Sequence, residues 1–178
     1  MADVSPAREN ILTQETDYNS SVSERFFQKV GGSINFINDR QTQYHTWKLN
    51  GPYSNGVGSE IDQVISYPFN FEISGFIYYN DVTGGTGSTI VDVLEYDNDG
   101  NLVGSIFSTK PEVDSTANSR SSTVYDQVNS STIANPSGHT LAVLNKTQFD
   151  AGNILVFKLD AAMNSANGFM LGLWIRGR

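Results

Sequence analysis

Gly168-Phe169-Met170-Leu171-Gly172-Leu173-Trp174-Ile175-Arg176 is the stretch that decides the fold. Phe169, Leu171, Leu173 and Ile175 fall at every second position and alternate with Met170, Gly172, Trp174 and Arg176. A period of two belongs to a β-strand, whose successive side chains point to opposite faces of a sheet. One of these faces is apolar from end to end, so the strand is expected in the interior of a sheet.

The same grammar runs back through the chain. Residues 61–67, 69–80, 88–96, 102–108, 140–146 and 154–159 carry β-branched or aromatic side chains between turn signals, and one more strand is expected near 44–49. Between two of these runs, Tyr96-Asp97-Asn98-Asp99-Gly100-Asn101-Leu102 sets Asp-Gly between apolar alternations, which predicts a hairpin with a type I′ turn. Residues 84–87 (Gly-Gly-Thr-Gly) read as a looser tip. The polar segment 109–139, with Pro111 and Pro136, is either a long crossing with one short strand at 123–128 or a functional loop.

Composition agrees with a mainly β class. Of 178 residues, 17% are charged and 38% hydrophobic, and 16 are glycine, a mix that favours short strands and turns around one core. The net charge of −8 opposes the basic surface that nucleic-acid binding requires, so no nucleic-acid partner is expected. Without cysteine the fold is held by packing, with neither disulfides nor thiolate metal sites. No secretory signal and no apolar run of about 18 residues are evident, which predicts a chain made in a cytoplasm and not inserted in a membrane.

Ahead of the β region the periodicity changes. Phe27, Val30, Ile34 and Ile37 are spaced as a coiled-coil seam, with Phe26 widening the stripe and Val22 beginning it. The expected organisation is a polar arm (1–21), a short amphipathic helix (22–40), a connector (41–60) and an antiparallel β-sandwich (61–178). A helix that short either docks on its own β domain or pairs with copies of itself. Gly31-Gly32 allows a close approach of neighbours or breaks the helix.

Chemistry-bearing motifs are sparse. His45 and His139 lie far apart in sequence, and no Gly-x-Ser-x-Gly elbow accompanies them. Asp97, Asp99 and Asn101 alternate as calcium ligands do, but Leu102 and Ser108 stand where an EF-hand loop needs glycine and glutamate, so the hairpin reading is preferred. Glu72, Asp92 and Glu95 are the acids a glycosidase pair would draw on. No catalytic residue, metal or cofactor is expected. Tyr78, Tyr79, Tyr125 and Trp174, with Tyr96, are either stacking platforms for sugars or packing residues.

Two stretches resemble the small structural proteins of tailed bacteriophages, of the capsid-decoration, head-fibre and tail-appendage kind. One runs from Ser23-Glu-Arg-Phe-Phe to Ile-Asn-Asp-Arg40. The other comprises Ser105-Ile-Phe-Ser-Thr-Lys-Pro111, Phe149-Asp-Ala-Gly-Asn-Ile-Leu-Val-Phe157 and the closing Leu-Gly-Leu-Trp-Ile-Arg-Gly-Arg178. The resemblance implies a virion structural role, commonly as a homotrimer whose heads resemble jelly rolls of the tumour-necrosis-factor type. It also implies that Val22 to Ile37 anchors the chain to the major capsid protein or another virion protein. A host surface glycan is a further partner to consider, and a polysaccharide depolymerase is the remaining alternative.

Overall fold

The computed structural model describes residues 42–49, 58 and 60–178, with side chains for all of these except 60–63. The expected arm and the helix with Val22, Phe26, Phe27, Val30, Ile34 and Ile37 lie outside the described residues. Every described element is a strand. In chain order they are β1 (Gln43–Lys48), β2 (Glu60–Ser66), β3 (Phe71–Val82), β4 (Ser88–Tyr96), β5 (Leu102–Ser105), β6 (Phe107–Thr109) and β7 (Glu112–Asp114). Then come β8 (Ser122–Asp126), β9 (Ser131–Ala134), β10 (His139–Thr140), β11 (Val143–Leu144), β12 (Gln148–Phe149), β13 (Ile154–Ala161) and β14 (Asn167–Gly177).

Two antiparallel sheets enclose one core. The front sheet runs β1-β14-β3-β8-β9, with β12 also on β3; the back sheet runs β10-β7-β4-β13-β2, with β5 also on β4; β6 and β11 form a separate pair. The closing strand is therefore interior, flanked by β1 and β3, and its Phe169, Leu171, Leu173 and Ile175 are buried. Phe71 and Phe76 of the neighbouring β3 and Leu155 and Phe157 of the back sheet complete the core, and Trp47 of the front sheet stacks on Phe157 at 5.7 Å between ring centres. Each such side chain withdrawn from water contributes about 1.5–3 kcal/mol, offset by its ordering.

The pairing corrects several expected boundaries. The sheet begins at Gln43 within the expected connector, because β1 pairs with β14 over all six residues and supplies Trp47 to the core. Residues 140–146 do not form one strand: β10 pairs with β7 and β11 with β6, and the buried Ala142 lies between them. The run 102–108 breaks at Ile106, which is buried and accepts the Asn145 N–H. Segment 109–139 holds β7, β8 and β9, with β8 at Ser122–Asp126 where the single short strand was expected.

The Asp-Gly hairpin forms between β4 and β5 with a different turn. Gly100 N donates to Asp97 O at 3.0 Å. Gly100 has φ +81°, whereas neither Asn98 nor Asp99 has positive φ. A type I′ turn needs both central residues left-handed, so this is a three-residue loop closed by a left-handed glycine. Asp97 braces it, its Oδ1 accepting the N–H groups of Asp99 at 2.9 Å and Asn101 at 2.8 Å.

One irregularity shapes the front sheet. Trp174 pairs with Gly75 but Ile175 pairs with Ile73, so Ser74 is an extra residue on β3. Below this bulge Phe71 and Ile73 point to the core; above it Phe76, Tyr78 and Asn80 do. The single insertion reverses which residues face inward.

Candidate functional site

The front sheet turns an aromatic surface outward. Tyr44 of β1 and Trp174 of β14 are directly opposed across the strands, their ring centres 5.4 Å apart and their planes inclined by 31°. Each ring lies over a glycine. A Cβ built on Gly172 would fall 2.4–2.7 Å from the Tyr44 ring and hydroxyl, and one on Gly75 would fall 3.0 Å from Trp174 Cε3. With no side chain beneath them, the rings lie down on the backbone and turn their other faces outward. Burial, and then the nearby Tyr79, pushes the Tyr44 hydroxyl above its usual pKa of 10.0. Tyr44 Oη also sits 4.0 Å from Met170 Sδ, so β1 and β14 share one continuous shelf.

Beside the shelf runs a groove of about 380 Å³, lined by Ser74, Gly75, Asp126, Asn129, Trp174 and Arg176 among others. Its geometry follows from the register: Trp174, Gly75 and Asp126 stand side by side on β14, β3 and β8. Glycine in the middle strand leaves the space. Asp126 accepts from Asn129 N at 3.1 Å and Asn129 Nδ2 at 2.6 Å. Those bonds, the side-chain one foremost, hold its carboxyl below the ordinary 3.8. Arg176 is bound to Glu72 across the same face, and Val128 and Ile133, both largely exposed, form an apolar rim.

The four aromatics singled out in the sequence separate. Trp174 and Tyr79 stand on the outer face and are partly exposed. Tyr78 does not: it is fully buried, stacks on Phe169 and donates its hydroxyl to Thr140 O, so a surface stacking role is corrected to a core one. The bulge puts it there, since above Ser74 the even-numbered residues point inward. Tyr125 borders the groove, but its ring stacks on Phe76 at 5.3 Å, on the core side of the sheet. Sequence reading missed Tyr44, Gly75, Gly172, Asp126 and Asn129 as a group. The available signal was glycine inside two strands, which marks a close approach.

The histidines and acids are built into packing. His139 Nε2 lies 3.0 Å from Ser121 Oγ, and Nδ1 lies 3.0 Å from Thr123 Oγ1. Ser121 donates to Asn118 O at 2.6 Å, while Asp114 accepts from Thr116 N at 2.7 Å and Thr116 Oγ1 at 2.6 Å. A threonine hydroxyl thus occupies the side of the imidazole where a serine-histidine-aspartate triad places its carboxylate. Burial lowers the pKa of both His45 and His139 below 6.5, and Asp114 opposes that shift at His139.

Glu72 lies on the front sheet, Asp92 and Glu95 on the back, each with its own cation. Glu95, buried, accepts Lys146 Nζ at 2.6 and 2.9 Å and Asn153 Nδ2 at 2.6 Å. Asp92, also buried, pairs with Lys110 at 2.9 Å and accepts Ser105 Oγ at 2.5 Å. Lys110 also holds Asp160, which Lys158 reaches at 3.0 Å. Among the described residues no group of three or more His, Cys, Asp or Glu is placed to hold a metal ion, and no helix is long and apolar enough to cross a membrane.

Comparison with protein-family models, with curated proteins and with solved structures finds no match to this chain.

Proposed function

We propose that this chain is a non-enzymatic structural protein of a tailed-bacteriophage virion: a homotrimeric decorating or fibre-type appendage, anchored through its N-terminal region, with the β-sandwich as its exposed head. The observation that supports the reading is the strand order. β1-β14-β3-β8 facing β7-β4-β13-β2 is the eight-strand arrangement of a jelly roll, each sheet pairing an early strand with a late one. Both ends of the head, β1 and β14, are thereby pinned into the front sheet, which supports reading it as a self-contained body. A repeated subunit of this kind gains attachment through symmetry, several modest contacts acting together.

The reading is tested on particles of the virus that encodes the chain, assembled in the host cytoplasm and purified. Immunogold labelling against residues 43–178 is expected to decorate the particle surface, and light scattering to give three times the 19.5 kDa chain mass. Particles without label overturn it. A receptor- or glycan-binding adhesin is the second reading, favoured by the groove beside Trp174.

A further inference from the structure

We propose that the groove floored by Gly75 is a subsite for a neutral pyranose sugar, stacked on Trp174 and hydrogen-bonded at its edge by Asp126 and Asn129. This rests on the reading that the head binds rather than reacts. A pyranose has an apolar C–H face and a rim of hydroxyls, so its site needs a flat apolar surface and, at right angles to it, acceptors and donors.

The front sheet supplies both in one row. The Trp174 ring closes over Gly75 from one side, with Cε3 and Cζ3 at 3.0 and 3.6 Å from where a Cβ would stand, and Asp126 is on the neighbouring strand on the other. Those two strands flank β3, so their backbones are about 10 Å apart, two inter-strand spacings. The groove's volume of about 380 Å³ falls in the range of small-ligand sites, at its lower end.

The polar groups set the preference. Asp126 is held ionised by its hydrogen bonds from Asn129 and Val128, and its carboxylate, with about four acceptor positions, keeps capacity for a sugar hydroxyl. Asn129 spends one of its two side-chain N–H groups on Asp126, which leaves the other and the side-chain carbonyl for a ligand. Arg176 is already neutralised by Glu72. A sialic acid or uronate would bring its carboxylate beside Asp126 without an unpaired cation to receive it, so the site selects neutral hexoses and N-acetylhexosamines. A second copy of this chain fits less well, since a concave groove with an ionised carboxylate at its wall offers little flat area for a subunit contact.

The test uses the full chain. Saturation-transfer NMR and tryptophan fluorescence are followed with methyl glycosides of glucose, galactose and N-acetylglucosamine, and with N-acetylneuraminic acid. Binding of at least one neutral glycoside is expected. Trp174→Ala should weaken it at least about tenfold while Trp174→Phe, which keeps a ring, retains most of it. Asp126→Asn should weaken it with the fold unchanged by circular dichroism.

No binding of any neutral glycoside, preference for the sialic acid, or equal affinity in Trp174→Ala overturns the subsite. So does a Trp174→Ala variant that changes the solution mass and not the sugar affinity, because the face is then a subunit interface. Surface-labelled particles with a chain that binds no sugar would overturn the subsite alone. Sugar binding by a chain missing from the particles would overturn only the virion reading.

Discussion

The two sheets bury similar inner faces yet finish their outer faces differently. On the back sheet, Asp92, Lys110, Asp160 and Lys158 neutralise one another, and exposed apolar side chains such as Val64 and Leu102 stand on edge strands. On the front sheet, Tyr44, Trp174 and Tyr79 bring aromatic surface to the outside beside a concave groove. Scattered apolar residues are ordinary on any protein, whereas contiguous aromatic surface next to convergent polar groups marks a place of contact. The back face is complete in itself and the front face is not. The proposed binding role is therefore placed on the front.

Breaking the back face should cost the most. Lys110→Met leaves Asp92 buried without its counter-ion and is expected to lower the unfolding free energy by about 3 kcal/mol, the low end for a broken buried pair because Lys110 is itself partly exposed. Urea denaturation measures it, and adding Asp92→Asn should recover part of the loss. A change below about 0.5 kcal/mol would mean that the network is an ordinary surface one.

Glycine substitutions on the front face should separate floor from shelf. A Cβ at Gly75 meets backbone, Tyr125 O at 2.7 Å, while one at Gly172 meets the movable Tyr44 side chain. Gly75→Ala is accordingly expected to lose about 2 kcal/mol and Gly172→Ala less than about 1 kcal/mol, the latter displacing Tyr44 from its backbone seat. Thermal unfolding ranks them, and a shifted Trp174 emission reports the disturbed shelf. The reverse order would place the tighter packing under Tyr44.

The smallest effect is that of pH, and it has two steps. Burial depresses the folded pKa of His45 and His139, so the unfolded chain binds more protons as pH falls through 6.5 and stability declines there. Asp97, Asp114 and Asp126 are depressed by turn hydrogen bonds, those to Asn101, Thr116 and Asn129 coming first. Their contribution is present above the unfolded value of 3.8 and is lost as pH drops through the lower folded values. A melting series from pH 8 to pH 2.5 should show both declines, and His139→Gln should reduce the upper one. Constant stability between pH 8 and pH 5 would show that neither imidazole is held neutral by the fold.

Much of the architecture was legible because alternation is a local signal. The closing strand, β4 and the Asp-Gly hairpin could be read from their own residues. What was not legible depended on partners. A strand near 44–49 was legible, but it was set inside a connector apart from the sandwich, and only pairing with β14 shows that it belongs to the front sheet and that Trp47 completes the core. Tyr78 and Tyr79 are adjacent, so one must face in and one out. Counting by twos from Phe71 and Ile73 buries Tyr79, and only the unpaired Ser74 reverses the answer. Trp174 was recognised as a candidate platform, but its companions Tyr44 and Asp126 come from strands far away in sequence, joined to it by register alone.

Chain length, as distinct from chemistry, governs that part of the molecule. Deleting Ser74 would only erase the bulge, because Ile73, Phe76 and Tyr78 would then alternate regularly and stay inward. Deleting a paired residue such as Ile77 would remove no charge, ring or catalytic group either, yet it would turn the strand over beyond that point, sending Tyr78 toward water and Tyr79 toward the interior. Substitutions can therefore tune the groove one residue at a time while its frame is fixed by a count. A lineage that varies its outer rings freely could shed the bulge residue, but it could not lose a paired residue of β3 without remaking the core.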